Sequence, residues 1–203
     1  MSKLICALYL LAVPVVVSGQ FTHSFFLGPS ITKNRLLLYG VDDRVYIYND
    51  GPTYKLFYNL GYRLEFNWKR KFGLCAELQY KKVGSDRVEF DLVRDRYQDA
   101  WQYYISIPTL LLFKTDRGHS FGIGYVLNYR LDEAKDNTFY GAYSKIDKKY
   151  KYCHDVAIEY VLKLNTRFFV KIRWEEGLDP VHEIYLSEFK NRSFHFSLMY
   201  KIK

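Results

Sequence analysis

The chain has 203 residues, a net charge of +8, and 19% aromatic residues led by 20 tyrosines. That length fits one domain, and beyond the first 19 residues no stretch is apolar enough to cross a membrane as a helix, which excludes a helical membrane protein. The aromatic content is high for a soluble domain, and Tyr and Trp favour membrane interfaces, where one end of the ring is apolar and the other wet.

Residues 1–19 have the form of a signal peptide. Lys3 supplies a positive start, Leu4 to Val17 an apolar run, and Val17-Ser18-Gly19 the small residues of a cleavage site. The apolar run is shorter than the roughly 20 residues a spanning helix needs. Cys6 lies too early for a lipoprotein cysteine. The remaining domain, 20–203, is expected to begin near Gln20.

From there the sequence alternates. Phe21, Phe25, Leu27 and Ile31 alternate with Thr22, Ser24, Gly28 and Ser30 in the weakest of the segments. The clearest runs from Tyr54 to Trp68. Its even positions are all apolar or aromatic, and its odd positions include Lys55, Asn59, Arg63, Glu65 and Asn67. A period of two is the signature of a strand with two different faces. Phe72 to Lys82 repeats it, with Leu74 and Leu78 on one face and Cys75, Glu77 and Gln79 on the other. Tyr103 to Phe113 is less clean, because Leu110 and Leu112 fall on the polar parity and Pro108 removes a ladder donor. Phe121 to Arg130, Tyr152 to Leu164, Phe168 to Glu175 and Phe194 to Ile202 complete the set. Eight such segments predict an all-β fold, an eight-stranded antiparallel up-and-down transmembrane β-barrel. Strands are tolerated in a bilayer only when closure pairs every backbone group, and each needs about 9–11 residues to cross.

Connections then set the orientation. The segments 33–53, 83–102, 132–151 and 176–191 read as long loops, whereas 69–71, the stretch around Asp116-Arg117-Gly118, and Asn165-Thr166 read as tight turns. Outer-membrane barrels have long outer loops and short periplasmic turns. Aromatic residues of outward parity cluster at both ends. Trp68, Phe72, Phe113, Phe121, Phe168 and Tyr200 lie near the short turns, and Tyr54, Tyr80, Tyr103, Tyr129, Tyr152 and Trp174 near the long loops. A bilayer's two interfaces select such belts. A secreted lipocalin-like barrel would show the same alternation with its apolar face inside. The belts, and mid-strand charges such as Arg63 and Glu159, favour a polar interior.

Arg63, Glu65, Glu77, Lys81, Arg130, Asp155, Glu159, Lys163, Lys171, Arg173 and Glu175 are thus assigned to the lumen. Eight strands leave an interior just wide enough for side chains to fill, so a plug of paired charges is expected rather than an ion path. Cys75 and Cys153 fall on different strands and are expected to be free thiols. The long loops are together more acidic than basic, while the basic excess lies in strands and tight turns, for example Lys69, Arg70 and Lys71. That distribution suits lipid headgroups and argues against a nucleic-acid partner.

The run Gly73-Leu74-Cys75-Ala76-Glu77-Leu78-Gln79-Tyr80-Lys81-Lys82-Val83-Gly84 resembles a strand-plus-glycine signature of small outer-membrane barrels, the PorT-like family of Bacteroidetes-type bacteria. The closing Phe194-His195-Phe196-Ser197-Leu198-Met199-Tyr200-Lys201-Ile202-Lys203 resembles that family's last strand, although it ends on Ile202-Lys203 where such barrels often end on an aromatic residue. The resemblance implies an outer-membrane location and, from the family's founding member, an association with protein secretion.

No catalytic, cofactor-binding or metal site is expected. The five histidines, His23, His119, His154, His182 and His195, sit in no recognisable motif, and His182-Glu183 lacks the second histidine of a zinc-protease helix. His154 faces outward near the outer interface, where a lipid-modifying base would lie. Two non-enzymatic roles remain. One is an anchor whose outer loops bind a partner, with Tyr-rich tracts at Val45 to Tyr48 and Phe139 to Tyr143 as contact area. The other is an accessory subunit of an outer-membrane secretion or uptake complex. Expected partners are outer-membrane lipids and lipopolysaccharide and an outer-membrane protein complex.

Overall fold

The computed structural model describes residues 20–39, 45–47, 53–69, 71–91, 96–131, 151–180, 182–184 and 187–202. The leader at 1–19, the bulk of segment 132–151 and the tract at Phe139 to Tyr143 lie outside them. Ten strands follow in order: β1 (Gln20–Tyr39), β2 (Val45–Ile47), β3 (Thr53–Lys69), β4 (Phe72–Asp91), β5 (Arg96–Lys114), β6 (Ser120–Arg130), β7 (Tyr152–Lys163), β8 (Phe168–Gly177), β9 (His182–Ile184) and β10 (Ser187–Ile202).

Eight of them close a barrel. Each pairs antiparallel with its neighbours in the order β1-β3-β4-β5-β6-β7-β8-β10, and β1 pairs back onto β10. The closing register runs from His23 opposite Ile202 to Leu38 opposite Ser187. The remaining two strands, β2 and β9, are three-residue additions to the upper parts of β1 and β10.

The tight turns sit where the sequence places them. Gly118 takes a left-handed φ of 84°, which a side chain would strain, and its N–H donates to Thr115 O at 3.0 Å. Asn165 Oδ1 accepts from the backbone N–H groups of Arg167 and Phe168, each at 2.8 Å, so a short polar side chain holds the β7–β8 reversal.

The expected loop boundaries shift. β1 continues to Tyr39, β4 to Asp91, β5 begins at Arg96 and β10 at Ser187, so much of 33–53, 83–102 and 176–191 is strand. The apolar alternation used to find strands marks contact with lipid on one face. Above the bilayer both faces meet water, the alternation lapses, and the backbone ladder continues regardless. β1 leaves β3 above Thr32, where it pairs with β10 on one edge and β2 on the other. β3 stays with β4 up to Thr53 opposite Asp86. The crown therefore splits into two panels, β9-β10-β1-β2 and β3-β4-β5. In contrast β6, β7 and β8 have 11, 12 and 10 residues, close to the crossing length alone.

Candidate functional site

Facing is decided by contacts between strands that are not neighbours. Arg63 on β3 donates from Nη1 to Glu159 Oε1 on β7 at 2.6 Å. Those strands stand on opposite sides of the barrel, so both side chains point into the lumen. The same holds for Lys81 on β4 with Glu175 on β8, and for Lys171 on β8, whose Nζ lies 3.2 Å from Glu77 Oε2 on β4. The lumen is the polar side, and the outward side carries Leu27, Leu56, Leu60, Leu78, Ile123 and Leu198, all exposed. A soluble barrel would have the reverse polarity.

The lumen is packed in layers. Nearest the tight turns, Phe26, Val161 and Met199 cluster with Phe169 against them. Lys171 Nζ sits 3.0 Å from the centre of the Phe26 ring, joining this apolar layer to the charges above it.

The next layer is an ion network. Arg63 Nε donates to Glu65 Oε1 at 2.7 Å, and its Nη1 also reaches Glu77 Oε1 at 2.8 Å. Arg173 Nε donates to Glu159 Oε2 at 2.9 Å, and its Nη2 lies 2.7 Å from Glu77 Oε1. Lys114, at the rim, reaches Glu65. Above it, Lys81 lies between Glu175 and Asp155, and Asp155 Oδ2 accepts from Asn128 Nδ2 at 2.7 Å. Ser106 Oγ donates to Asn128 Oδ1 at 2.7 Å. His195 Nε2 stands 3.3 Å from Glu175 Oε2, inside ion-pair range.

Among the described residues, five cations (Arg63, Lys81, Arg130, Lys171, Arg173) and five carboxylates (Glu65, Glu77, Asp155, Glu159, Glu175) are buried. Equal numbers are what a low-dielectric interior demands, because an unpaired buried charge is very unfavourable. Lys163, assigned to the lumen from its parity, is exposed instead. It is the last residue of β7, where inward parity points past the barrel's end.

The outer end is pinched. Thr32 Oγ1 donates to Gly84 O at 2.6 Å and accepts from Gly84 N–H at 2.9 Å, so β1 touches β4 across the intervening β3. The register of β3 against β4 slips between Tyr54 and Asn59, and this irregularity lets the backbones approach. Tyr104 on β5 is fully buried, with Asn191 Nδ2 of β10 at 3.4 Å from its hydroxyl. Sequence reasoning passed over Tyr104, although its position two residues before Ser106 and six before Leu110 put it on the lumen parity. One side of the lumen is apolar: Cys75, Leu110, Leu112, Val126 and Ala157 form a buried cluster. Leu110 faces Gly124 and Leu112 faces Gly122 in register, large against small. Neither Cys75 nor Cys153 is in a disulfide, and both are buried.

The outward wall carries the two belts. Phe21 and Phe66 (5.0 Å between ring centres), Phe72 and Phe113 (5.7 Å), and Phe168 and Tyr200 (5.3 Å) pair across strands near the tight turns. Tyr80 and Tyr103 (6.2 Å) and Tyr129 and Tyr152 (5.3 Å) pair near the crown. Among the described residues no group of His, Cys, Asp and Glu could hold a metal ion. His154 lies outward, its Nδ1 against the Tyr125 hydroxyl, with Asp179 Oδ2 3.7 Å from its Nε2 and 3.0 Å from its backbone N–H.

No protein-family model matches the chain, and no curated sequence does. Solved structures do resemble it. OprG, an outer-membrane protein of Pseudomonas aeruginosa, is 13% identical, with a TM-score of 0.50 over 89% of this chain and 95% of that one. Ail, the attachment invasion locus protein of Yersinia pestis, is 13% identical over 90% of this chain and 99% of its own, with a TM-score of 0.44. The outer-membrane protein AlkL is 12% identical over 92% and 91%, with a TM-score of 0.46. Closure, inverted polarity and the OprG-like fold make this chain an eight-stranded β-barrel of the outer membrane.

Proposed function

We propose that the barrel is a sealed anchor, and that its task is to hold the crown at the cell surface for a binding partner. The observation that carries this reading is the ion network spanning the lumen between opposite strands, from Arg63 to Glu159 and from Lys81 to Glu175. A permeation path would require these pairs to part, and separating a buried pair costs about 3–5 kcal/mol. Thr32 on β1 also meets Gly84 on β4 and narrows the wall at the outer end. With the interior filled, binding chemistry is left to the crown, where loops and strand edges face water.

The test is a planar-bilayer recording of the purified chain. Sealed membranes without stable conductance steps are expected, and a large steady conductance would overturn the anchor. Solubilisation of the native membrane in mild detergent then separates two forms of the reading. A stoichiometric membrane partner would make the chain an accessory subunit of a secretion or uptake complex, as its PorT-like resemblance implies. A chain that purifies alone and captures a surface ligand through its crown would be a free-standing anchor. The role is non-enzymatic, so overexpression should leave the mass spectrum of lipid A unchanged.

A further inference from the structure

Two cations face each other on the lipid side of the barrel seam. Lys33 on β1 stands directly opposite Arg192 on β10. Like charges directly opposed across an antiparallel pair repel and are ordinarily avoided. One carboxylate answers them. Glu176 on β8 holds Arg192 in a two-point fork, with Nε to Oε2 at 2.6 Å and Nη2 to Oε1 at 3.0 Å. The Lys33 ammonium has no carboxylate partner among the described residues and lies over the Tyr54 ring, 5.4 Å from its centre. Among the described residues the cluster thus holds one positive charge beyond its carboxylate.

Its height matters as much as its charge. Ile31, Leu56 and Phe194 lie directly below on the same face, Ile31 and Leu56 exposed and Phe194 half-buried. At the same level on the rest of the wall, Lys82 stands 5.1 Å from the centre of Tyr103 and Lys151 5.1 Å from Tyr129. Cations over the outer tyrosine belt, above apolar wall, match an amphiphile whose anionic head lies at the interface and whose acyl chains run down the barrel.

We propose that the Lys33–Arg192–Tyr54 cluster is a binding site for a phosphate group on an outer-leaflet glycolipid. The inference rests on the reading of the chain as a membrane barrel. Lys33 has no carboxylate partner among the described residues, Arg192 uses Nε and Nη2 for the Glu176 fork and turns its remaining N–H groups away from it, and the Tyr54 ring positions the Lys33 ammonium. The phosphate relieves the Lys33–Arg192 repulsion, so the lipid also tightens the seam where β1 meets β10.

The test uses the full chain folded in detergent micelles. Binding is measured by native mass spectrometry against bis-phosphorylated lipid A, the same lipid with both phosphates removed, and inorganic phosphate. Lys33→Gln should weaken binding of the phosphorylated lipid about fivefold, the contribution of one basic residue at an anionic lipid surface. Arg192→Gln should do the same or more. Lys71→Gln and Lys163→Gln, exposed at the opposite end, should leave binding unchanged. Because Arg192→Gln also removes both bonds to Glu176, Lys33→Gln is the decisive variant; it leaves the fork intact. Equal affinity for the phosphorylated and dephosphorylated lipids would overturn the proposal, as would equal losses in the control variants. Competition by millimolar inorganic phosphate without any need for acyl chains would instead assign a free-anion site and overturn the lipid assignment. Failure of the membrane reading looks different: the chain would stay folded and soluble after detergent removal, whatever it bound.

Discussion

Glu77 and Leu78 are neighbours on one strand and live in opposite media. Glu77 is 3% exposed, and touches Arg63, Lys171 and Arg173 across the lumen. Leu78 is 58% exposed and belongs to the lipid-facing wall. In a soluble barrel a carboxylate would gain by facing water and a leucine by facing inward. Here the solvent outside is hydrocarbon, so the leucine is satisfied where it stands and the carboxylate must be neutralised by partners. The lumen demands exact pairing of charge, whereas the wall demands only that side chains be apolar. Substitutions should therefore be specific on one face and permissive on the other.

Arg63→Ala should cause the largest loss. It leaves Glu65, Glu77 and Glu159 sharing fewer cations at buried positions, at a cost of about 3–5 kcal/mol. Urea unfolding of the barrel in phospholipid vesicles, followed by tryptophan fluorescence, measures it. A loss under about 1 kcal/mol would mean that solvent enters the lumen freely and that the plug reading is wrong. Leu78→Arg comes next, at about 1–3 kcal/mol, because Leu78 stands between the centre of the wall and the outer belt at Tyr80. Leu78→Phe should be near neutral in the same assay. If Leu78→Arg is also neutral, the outward wall does not face lipid.

Gly124→Ala probes the seam between the two faces. A Cβ on Gly124 would lie 2.7 Å from Leu110 Cα and 2.9 Å from the Thr109 carbonyl carbon, so the β5 backbone would have to move. A loss of about 1–3 kcal/mol is expected, as for other overpacked sites. Leu110→Ala made alongside it should recover little, because the clash is with backbone. Substantial rescue would show instead that side-chain volume limits the packing of that lumen wall.

The sequence disclosed these two faces unequally. Along Tyr54 to Trp68 the wall could be read directly, since hydrocarbon imposes one rule on every outward residue and the rule repeats with the pleat. The lumen charges were also visible as residues, but their partners were not. Arg63 and Glu159 are 96 positions apart, and their contact depends on strand order and on closure, neither of which leaves a local trace. Lys163 was misplaced because parity continues past the end of a barrel while the lumen does not. The Thr32–Gly84 pinch depends on a register slip in β3 against β4 that no residue pattern announces. The crown strands beyond Thr32 and Gly84 were read as loops, because water on both faces erases the alternation on which the reading relied.

The smallest effect tests whether the wall is as permissive as the lumen is exacting. Phe72 and Phe113 meet edge to face, with an interplanar angle of 70°, while Tyr80 and Tyr103 are stacked at 19°. If the belts act only as apolar surface, Phe72→Leu and Phe113→Leu should have additive effects. If ring geometry matters, a double-mutant cycle should show a coupling of about 0.5–1.5 kcal/mol. The Phe72–Phe113 pair has the edge-to-face arrangement that the ring quadrupole favours, so coupling is expected there. The stacked Tyr80–Tyr103 pair shares its site with Lys82, whose charge lies 5.1 Å from the Tyr103 ring centre. Its cycle should therefore depend on Lys82, and Lys82→Gln should change the Tyr80–Tyr103 coupling while leaving the Phe72–Phe113 coupling untouched. A Phe72–Phe113 coupling near zero would make the wall permissive down to ring orientation, the widest contrast with the lumen that the barrel could show.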